Sequence, residues 1–211
     1  MNTTISKKKK VDFYSDFNLI VDSIKSINSS FTIFISNDNQ QSLNVQIEKI
    51  KELRIACQQS VSLLKQNLFK SYFTPFYRED IYDLANSLNY LGDFIYTICR
   101  QRINYNIATL PSAFVEITNS FTNYVNQLEK IINSLSDVRH LGSLTTACVS
   151  MKKEADLGFK LAENEHDKLL RENIEAVELI KILSLYQNLM ELFKRSKSIG
   201  HVLDNIIIKY S

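Results

Sequence analysis

Residues 73–102 read FTPFYREDIYDLANSLNYLGDFIYTICRQR, and this segment carries clear signals for the start and the buried face of a helix. Thr74 offers a hydroxyl oxygen for a helix N-cap, and Pro75 suits a first helical turn, where its missing N–H would be unpaired anyway. Glu79 and Asp80 place negative charge near the positive end of the helix dipole. We therefore expect a helix here. Its apolar residues recur at helical spacing over about five turns, at Ile81, Leu84, Ala85, Leu88, Leu91, Ile95, Ile98 and Cys99.

A second stripe of the same helix is polar and aromatic. Its members are Tyr82, Asn86, Asn89, Asp93, Tyr96 and Arg100. The apolar stripe predicts a core-facing surface, and the polar stripe is the one that could hold chemistry.

The composition favours helices throughout the chain. The 211 residues include four Gly and two Pro, which leaves little material for the tight turns of a sheet protein. Apolar periodicity outlines about six long helices, near residues 11–36, 42–69, 74–106, 111–135, 143–164 and 173–211. Gly142 is expected in a break, and residues 163–173 in a bent charged connection. We predict an all-α, up-and-down bundle.

The charge distribution argues against nucleic acid as a partner. The chain has 25 basic and 23 acidic residues, and Lys7, Lys8, Lys9 and Lys10 form a run of four. Without this run the remainder is slightly acidic. Residues 1–10 are expected to be a disordered basic tail, either simply solvated or attracted to anionic lipid or an acidic partner.

The cysteines and the hydropathy indicate a cytoplasmic protein. Cys57, Cys99 and Cys148 lie within helical patterns, without the close spacing of zinc ligands, and are expected to be reduced core thiols. The sequence contains no apolar run of the ~18 residues that a membrane span needs. We expect any membrane association to be peripheral, at the inner membrane and through a partner.

The segment from Phe73 to Ile81, with its Thr74, Pro75, Arg78, Glu79 and Asp80, resembles the PhoU-like phosphate-transport regulators of bacteria. The similarity is to the branch found beside low-affinity phosphate permeases. It implies two repeated three-helix units, which we place at residues 11–108 and 109–211 of one compact domain. Weak internal matches at offsets of 98 and 101 residues agree with such a repeat.

The resemblance also implies metal-binding pairs of acidic residues, spaced i, i+4 on neighbouring helices. In this sequence the corresponding pairs are Arg54 and Gln58, Asn89 and Asp93, Lys152 and Asp156, and Met190 and Lys194. Only Asp93 and Asp156 remain acidic, so these two are the candidate metal ligands of a degenerate motif. We expect no cofactor, and a divalent or ferric ion is the alternative.

Cations at these positions oppose a metal. At ~4 Å and an effective dielectric near 20, each like-charge contact costs about 4 kcal/mol per unit charge. One hypothesis is that Arg54 or a neighbour pairs with Asp93, and Lys152 or Lys194 with Asp156. The alternative is that these side chains simply point to solvent.

The resemblance implies a cytoplasmic accessory or regulatory protein of inorganic phosphate transport. It would act by protein–protein contact with the cytoplasmic face of a phosphate permease or another transporter, and we expect a homo-oligomer. No nucleophile–base arrangement is legible, so we predict no catalytic residues and no enzyme. The alternatives are a metal- or anion-binding helical bundle and a structural, oligomerising bundle.

Overall fold

The computed structural model describes residues 11–136 and 141–210. These residues form six helices and no strand, which confirms the all-α prediction. The expected disordered tail, residues 1–10, lies outside the described residues. The helices are α1 (Phe13–Ile35), α2 (Gln40–Lys70), α3 (Arg78–Asn104), α4 (Ala113–Ser134), α5 (Leu141–Leu169) and α6 (Ala176–Tyr210).

Side-chain caps begin the first two helices. The Asp12 carboxylate accepts hydrogen bonds from the backbone N–H groups of Tyr14 and Ser15, at 3.1 and 3.2 Å. The Asn39 side chain accepts from the N–H of Ser42 at 3.1 Å. Both caps satisfy N–H groups that have no partner within the helix.

The start of α3 differs from the expected cap. The helix begins at Arg78, and the Thr74 hydroxyl donates to the Phe76 carbonyl at 2.7 Å instead of capping it. Pro75 therefore lies in the connection between α2 and α3. The reason is aromatic packing, since the buried Phe76 ring contacts the rings of Tyr14 and Tyr210 at centroid distances of 5.7 and 5.0 Å. Glu79 and Asp80 do occupy the first turn, as expected.

The boundaries of α5 also differ from expectation. Gly142 lies inside this helix, and the helix continues to Leu169, so the connection to α6 is residues 170–175 rather than 163–173. The charged segment stays helical because Ala162 and Leu169 are buried, while Lys168 and Glu165 form an ion pair at i, i+3 on the outside.

The helices share one hydrophobic core. Helix α1 packs against α2, α3 and α4, helix α5 packs between α4 and α6, and α3 also contacts α6. All eight apolar residues of the predicted α3 stripe are buried, as are the three free cysteines. Full burial of one such aliphatic or aromatic side chain contributes about 1.5–3 kcal/mol. Among the described helices, none is both long and apolar enough to cross a bilayer.

Arg102 joins the ends of α1 and α3. Its guanidinium donates to the carbonyls of Phe34, Ile107 and Ala108 at 2.8, 3.2 and 2.6 Å, and pairs with Asp38 at 2.8 Å. The side chain is 1% exposed. Burial lowers the pKa of Arg102, whereas the hydrogen bond and charge of Asp38 raise it. An arginine pKa starts so far above neutrality that the group stays charged.

Arg102→Ala should therefore be strongly destabilising. The substitution leaves the buried carbonyls of Phe34 and Ile107 without their donor and opens a cavity, so we expect a loss of about 3–5 kcal/mol in the free energy of unfolding. Urea unfolding followed by circular dichroism measures this. The control is Arg195→Ala, which removes an exposed ion pair with Glu191 and should cost about 0.2–1 kcal/mol. Equal losses for the two variants would show that Arg102 does not fasten the helix ends.

Candidate functional site

Three side chains from α2 and α3 converge on the carboxylate of Asp93. Arg54 Nη1 and Gln58 Nε2 each donate to Asp93 Oδ1 at 3.1 Å, and Asn89 Nδ2 donates to Oδ2 at 3.0 Å. The four residues form the Asp93 cluster. The predicted ion pair between Arg54 and Asp93 is thus present, and the alternative in which Arg54 simply points to solvent does not hold.

Packing fixes the position of Arg54 in this cluster. Its guanidinium carbon lies 4.6 Å from the centre of the Tyr96 ring, one turn further along α3. Both side chains of the ion pair are partly buried. Partial desolvation strengthens charge-assisted hydrogen bonds relative to those at an open surface. The polar stripe of α3 therefore meets donors from α2 at Asp93 and Tyr96.

Helices α5 and α6 pair their charged side chains differently from α2 and α3. Asp156 of α5 pairs with Lys197 of α6 at 2.7 Å, so the hypothesis that Lys152 or Lys194 pairs with Asp156 is wrong. The ammonium of Lys152 pairs with Asp204 instead. Its stem crosses Gly200, where a methyl group would lie 2.5 Å from Lys152 Cγ. The absence of a side chain at Gly200 thus allows the stem to lie across α6.

Met190 and Lys194 lie earlier in α6 than Lys197. The Lys194 ammonium sits 5.5 Å from the centre of the Phe159 ring, and Met190 packs against the core. The residue that opposes Asp156 is Lys197, which follows Met190 by seven residues. Seven residues are close to two helical turns, so Met190 and Lys197 share a face. Lys197 had no distinguishing signal in the sequence, because Lys194 lies three residues before it and helical periodicity places both lysines on one face.

A buried thiol lies near a carboxylate in each half of the bundle: Cys57 near Asp93, and Cys148 near Asp204. Burial, and then the negative charge of Asp93, raises the pKa of the Cys57 thiol to about 12. Burial raises that of Cys148 to about 12 as well, with a further contribution from Asp204. Both thiols are therefore protonated at neutral pH, whereas the thiolate is the nucleophile and the metal ligand.

The side chains around Asp93 and Asp156 do not form a set of ligands that fits a metal ion. Both oxygens of Asp93 accept hydrogen bonds from side chains, and Asp156 is paired with a lysine. Within residues 11–136 and 141–210, no three His, Cys, Asp or Glu side chains come together as ligands. A metal at Asp93 would have to displace a guanidinium that already neutralises the carboxylate.

The helix-start motif forms a separate feature at one end of the bundle. Residues 74–79 and Tyr210 line an open cleft of about 630 Å³. Arg78 donates to the carbonyls of Leu68 and Ser71, and Asp80 pairs with Lys209 at 2.8 Å. The motif thus fastens the connection to the ends of α2 and α6. The contributions of Tyr210 and Lys209 had no signal in the local sequence.

Comparison with known proteins identifies the fold. Two crystal structures from Shewanella oneidensis MR-1 superpose on this bundle. One is a PhoU-like protein with a TM-score of 0.81 and 13% identity, covering 93% of this chain and 99% of its own. The other is a candidate PhoU-like phosphate regulatory protein with a TM-score of 0.74 and 16% identity, covering 94% of this chain and 100% of its own. The chain has the PhoU-like fold.

A sequence relative covers the same length. The UPF0111 protein YkaA of Bacillus subtilis is 23% identical over 196 residues, which is 90% of this chain and 94% of that protein. No family model matches the chain. The PhoU-like fold accounts for the antiparallel neighbours α2 and α3, whose facing polar positions build the Asp93 cluster.

Restoring acids in the Asp93 cluster should create a metal site. The variant Arg54→Glu, Gln58→Asp, Asn89→Glu replaces all three donors by carboxylates around Asp93, a set of oxygen ligands suited to hard metal ions. We expect this variant to bind a divalent or ferric ion and the wild-type protein to bind none. Elemental analysis of protein purified without chelators or metal-affinity tags measures both.

The matched control makes the same change in net charge on the exposed side of α2. It carries Lys49→Glu, Gln59→Asp and Gln66→Glu, and should bind no metal. Stoichiometric metal in the wild-type protein would contradict the argument from the donor set. A folded acidic variant that stays free of metal would show that these positions do not form a ligand cage.

Proposed function

We propose that this protein is a non-enzymatic accessory or regulator of inorganic phosphate transport, which acts by contact with a membrane permease. The observation that carries the proposal is the PhoU-like fold along 94% of the chain, shared with a candidate PhoU-like phosphate regulatory protein. Fold likeness at this level of identity supports a role by analogy.

The Asp93 cluster supports a mechanism based on contact rather than on bound metal. Its carboxylate is neutralised by Arg54 and accepts further hydrogen bonds from Gln58 and Asn89, and all three are permanent parts of the chain. The surface formed by α2 and α3 therefore presents the same charges whatever the metal supply. A fixed arrangement of charge and aromatic groups is suited to recognition of a partner by complementarity.

The geometry of α5 and α6 supports the same mechanism. Asp156 and Asp204 are each paired with a lysine of the neighbouring helix. Neither carboxylate is left uncompensated, so a bound cation would gain little there. We propose a cytoplasmic location, where the protein reaches the membrane through contact with the permease, and we propose that it needs no cofactor.

Phosphate uptake tests this role directly. Cells that express a low-affinity phosphate permease with and without this protein should differ in uptake of labelled phosphate by at least about twofold, and the protein should co-purify with the permease from solubilised membranes. Sulfate uptake by the same cells serves as the control and should not change. Unchanged phosphate uptake together with the absence of co-purification would contradict the proposal.

A further inference from the structure

Helix α2 has an exposed face whose central part carries no charge. The helix packs against α1 and α3, and its remaining side faces solvent. Residues 55–64 read IACQQSVSLL, which are ten positions without an acidic or basic side chain. Ile55 and Leu63 are 41% and 49% exposed there. The solvent side of an amphipathic helix normally carries charged residues, so an uncharged face with two exposed aliphatic side chains has the character of a helix contact.

The exposed residues of this face recur at the spacing of helices that pack in pairs. Steps of three or four residues lead from Glu48 to Lys70, so the side chains form one line along the helix. We call this line the α2 outer strip. All its members are exposed, and they are Glu48, Glu52, Ile55, Ala56, Gln59, Ser62, Leu63, Gln66 and Lys70.

The α2 outer strip has two matching halves on either side of Gln59. The apolar residues Ile55 and Leu63 lie four residues away, and the small residues Ala56 and Ser62 lie three residues away. When a twofold axis relates two antiparallel helices, positions at equal distance before and after the axis face each other. Aliphatic side chains would then meet across the axis, and the small residues would let the two helices approach closely.

The flanks of the strip are complementary in charge and hydrogen bonding. Seven residues from its centre, the Glu52 carboxylate would accept a hydrogen bond from the Gln66 amide. Eleven residues from the centre, Glu48 would face Lys70. Glu48 pairs with Lys51 of its own chain at 2.9 Å, but its side chain is 64% exposed and has room for a second cation. A parallel arrangement would instead place each charge opposite its own copy, which is repulsive.

A shallow groove lies at the centre of the strip. Its volume is about 320 Å³, and it is lined by Ile55, Gln58, Gln59, Ser62, Leu63 and Gln66. Aliphatic side chains of a facing helix would enter it. The Gln59 amide has both donors and an acceptor, so two copies of this side chain can hydrogen-bond to each other across the axis.

The size of the strip sets the strength of such a contact. Residues 48–70 extend over about 35 Å of helix, and a helix is about 11 Å wide. The outline is therefore about 400 Å² on each copy, or about 800 Å² for the pair, which is at the low end for protein interfaces. We expect a weak and reversible association.

We propose that a second copy of this chain binds the α2 outer strip, antiparallel to the first and about a twofold axis at Gln59. The matching halves carry the proposal, because an unrelated partner helix would not require them. A twofold axis also keeps equivalent helix edges on one side, so both Asp93 clusters would lie on the same side of the dimer. Only this last consequence bears on the permease contact, and dimerisation itself does not rest on the proposed function.

Sedimentation equilibrium tests the dimer. The average mass of the wild-type protein should rise from 24.4 kDa towards twice that value as its concentration rises from about 1 μM to about 1 mM. The variant Ile55→Ser, Leu63→Ser should associate at least about tenfold more weakly. Its circular dichroism should not change, because both side chains are exposed. A wild-type mass of 24.4 kDa at every concentration would overturn the proposal.

A matched control lies on helix α1. Leu19 and Ile33 are 51% and 46% exposed, which is close to the exposure of the two α2 residues. The variant Leu19→Ser, Ile33→Ser should associate like the wild-type protein. Equal weakening by the two pairs of substitutions would overturn the assignment of the contact to α2.

Charge reversal tests the antiparallel alignment. Glu48→Lys alone and Lys70→Glu alone should each weaken association about two- to tenfold, because like charges then face each other twice in the dimer. The double variant restores opposite charges and should associate like the wild-type protein. A double variant weaker than both single variants would rule out this alignment.

Cross-linking locates the axis. The native cysteines Cys57, Cys99 and Cys148 are buried, so Gln59→Cys adds a single exposed thiol. With oxidised glutathione as the oxidant, two copies of this thiol should form a disulfide and give a dimer on a non-reducing gel. Gln66→Cys is the control, because its two copies would lie about 21 Å apart along the pair. Equal cross-linking of the two variants would overturn the position of the axis.

The dimer and the transport role can fail separately. Mass and cross-linking are measured on the purified chain, without permease or phosphate. A monomeric wild-type protein that still alters phosphate uptake would overturn the dimer alone. A dimer with the expected cross-link and no effect on uptake would support the contact at α2 and contradict the transport role.

Discussion

Every helix of this bundle buries an apolar stripe in one shared core, and this constraint fixes which polar residues meet at the helix boundaries. Burial of the α3 stripe leaves Asn89 and Asp93 at the boundary with α2, where burial of Cys57 brings Arg54 and Gln58 to the same level. A partly buried carboxylate loses part of its hydration there and needs donors from the protein. The Asp93 cluster is thus a consequence of core packing together with the residues that occupy the boundary.

The identity of those boundary residues decides between a ligand site and a closed surface. Carboxylates facing one another across α2 and α3 would repel and would require an added cation, whose supply would then control the state of the protein. Arg54 supplies the positive charge from within the chain, and its position over Tyr96 keeps it there. Neutralisation of Asp93 therefore does not depend on a bound ion. This arrangement favours a surface that binds a partner protein over one whose charge changes when a metal binds.

The all-α fold and the Arg54–Asp93 ion pair could be predicted from the sequence, whereas the partner of Asp156 and the cap of α3 could not. Each of these errors has a physical cause. The Arg54–Asp93 pair could be predicted because a connection of only seven residues, 71–77, joins α2 to α3 and limits how the two helices align. The partner of Asp156 could not be predicted in this way. The observed partner is Lys197, which lies three residues after the expected Lys194 and on a neighbouring position of the same helix face. Thr74 failed as a cap because Phe76 packs against Tyr210, near the other end of the chain.

The sides of the bundle and the end near Phe73 differ in which of their groups are satisfied within the chain. Along its sides, ionic groups such as Asp93 and Asp156 are satisfied within the chain, so these faces offer shape and fixed charge. At the end near Phe73, one connection uses Phe76 to close the core and leaves Phe73 in water, so unused apolar contact remains on a rigid backbone.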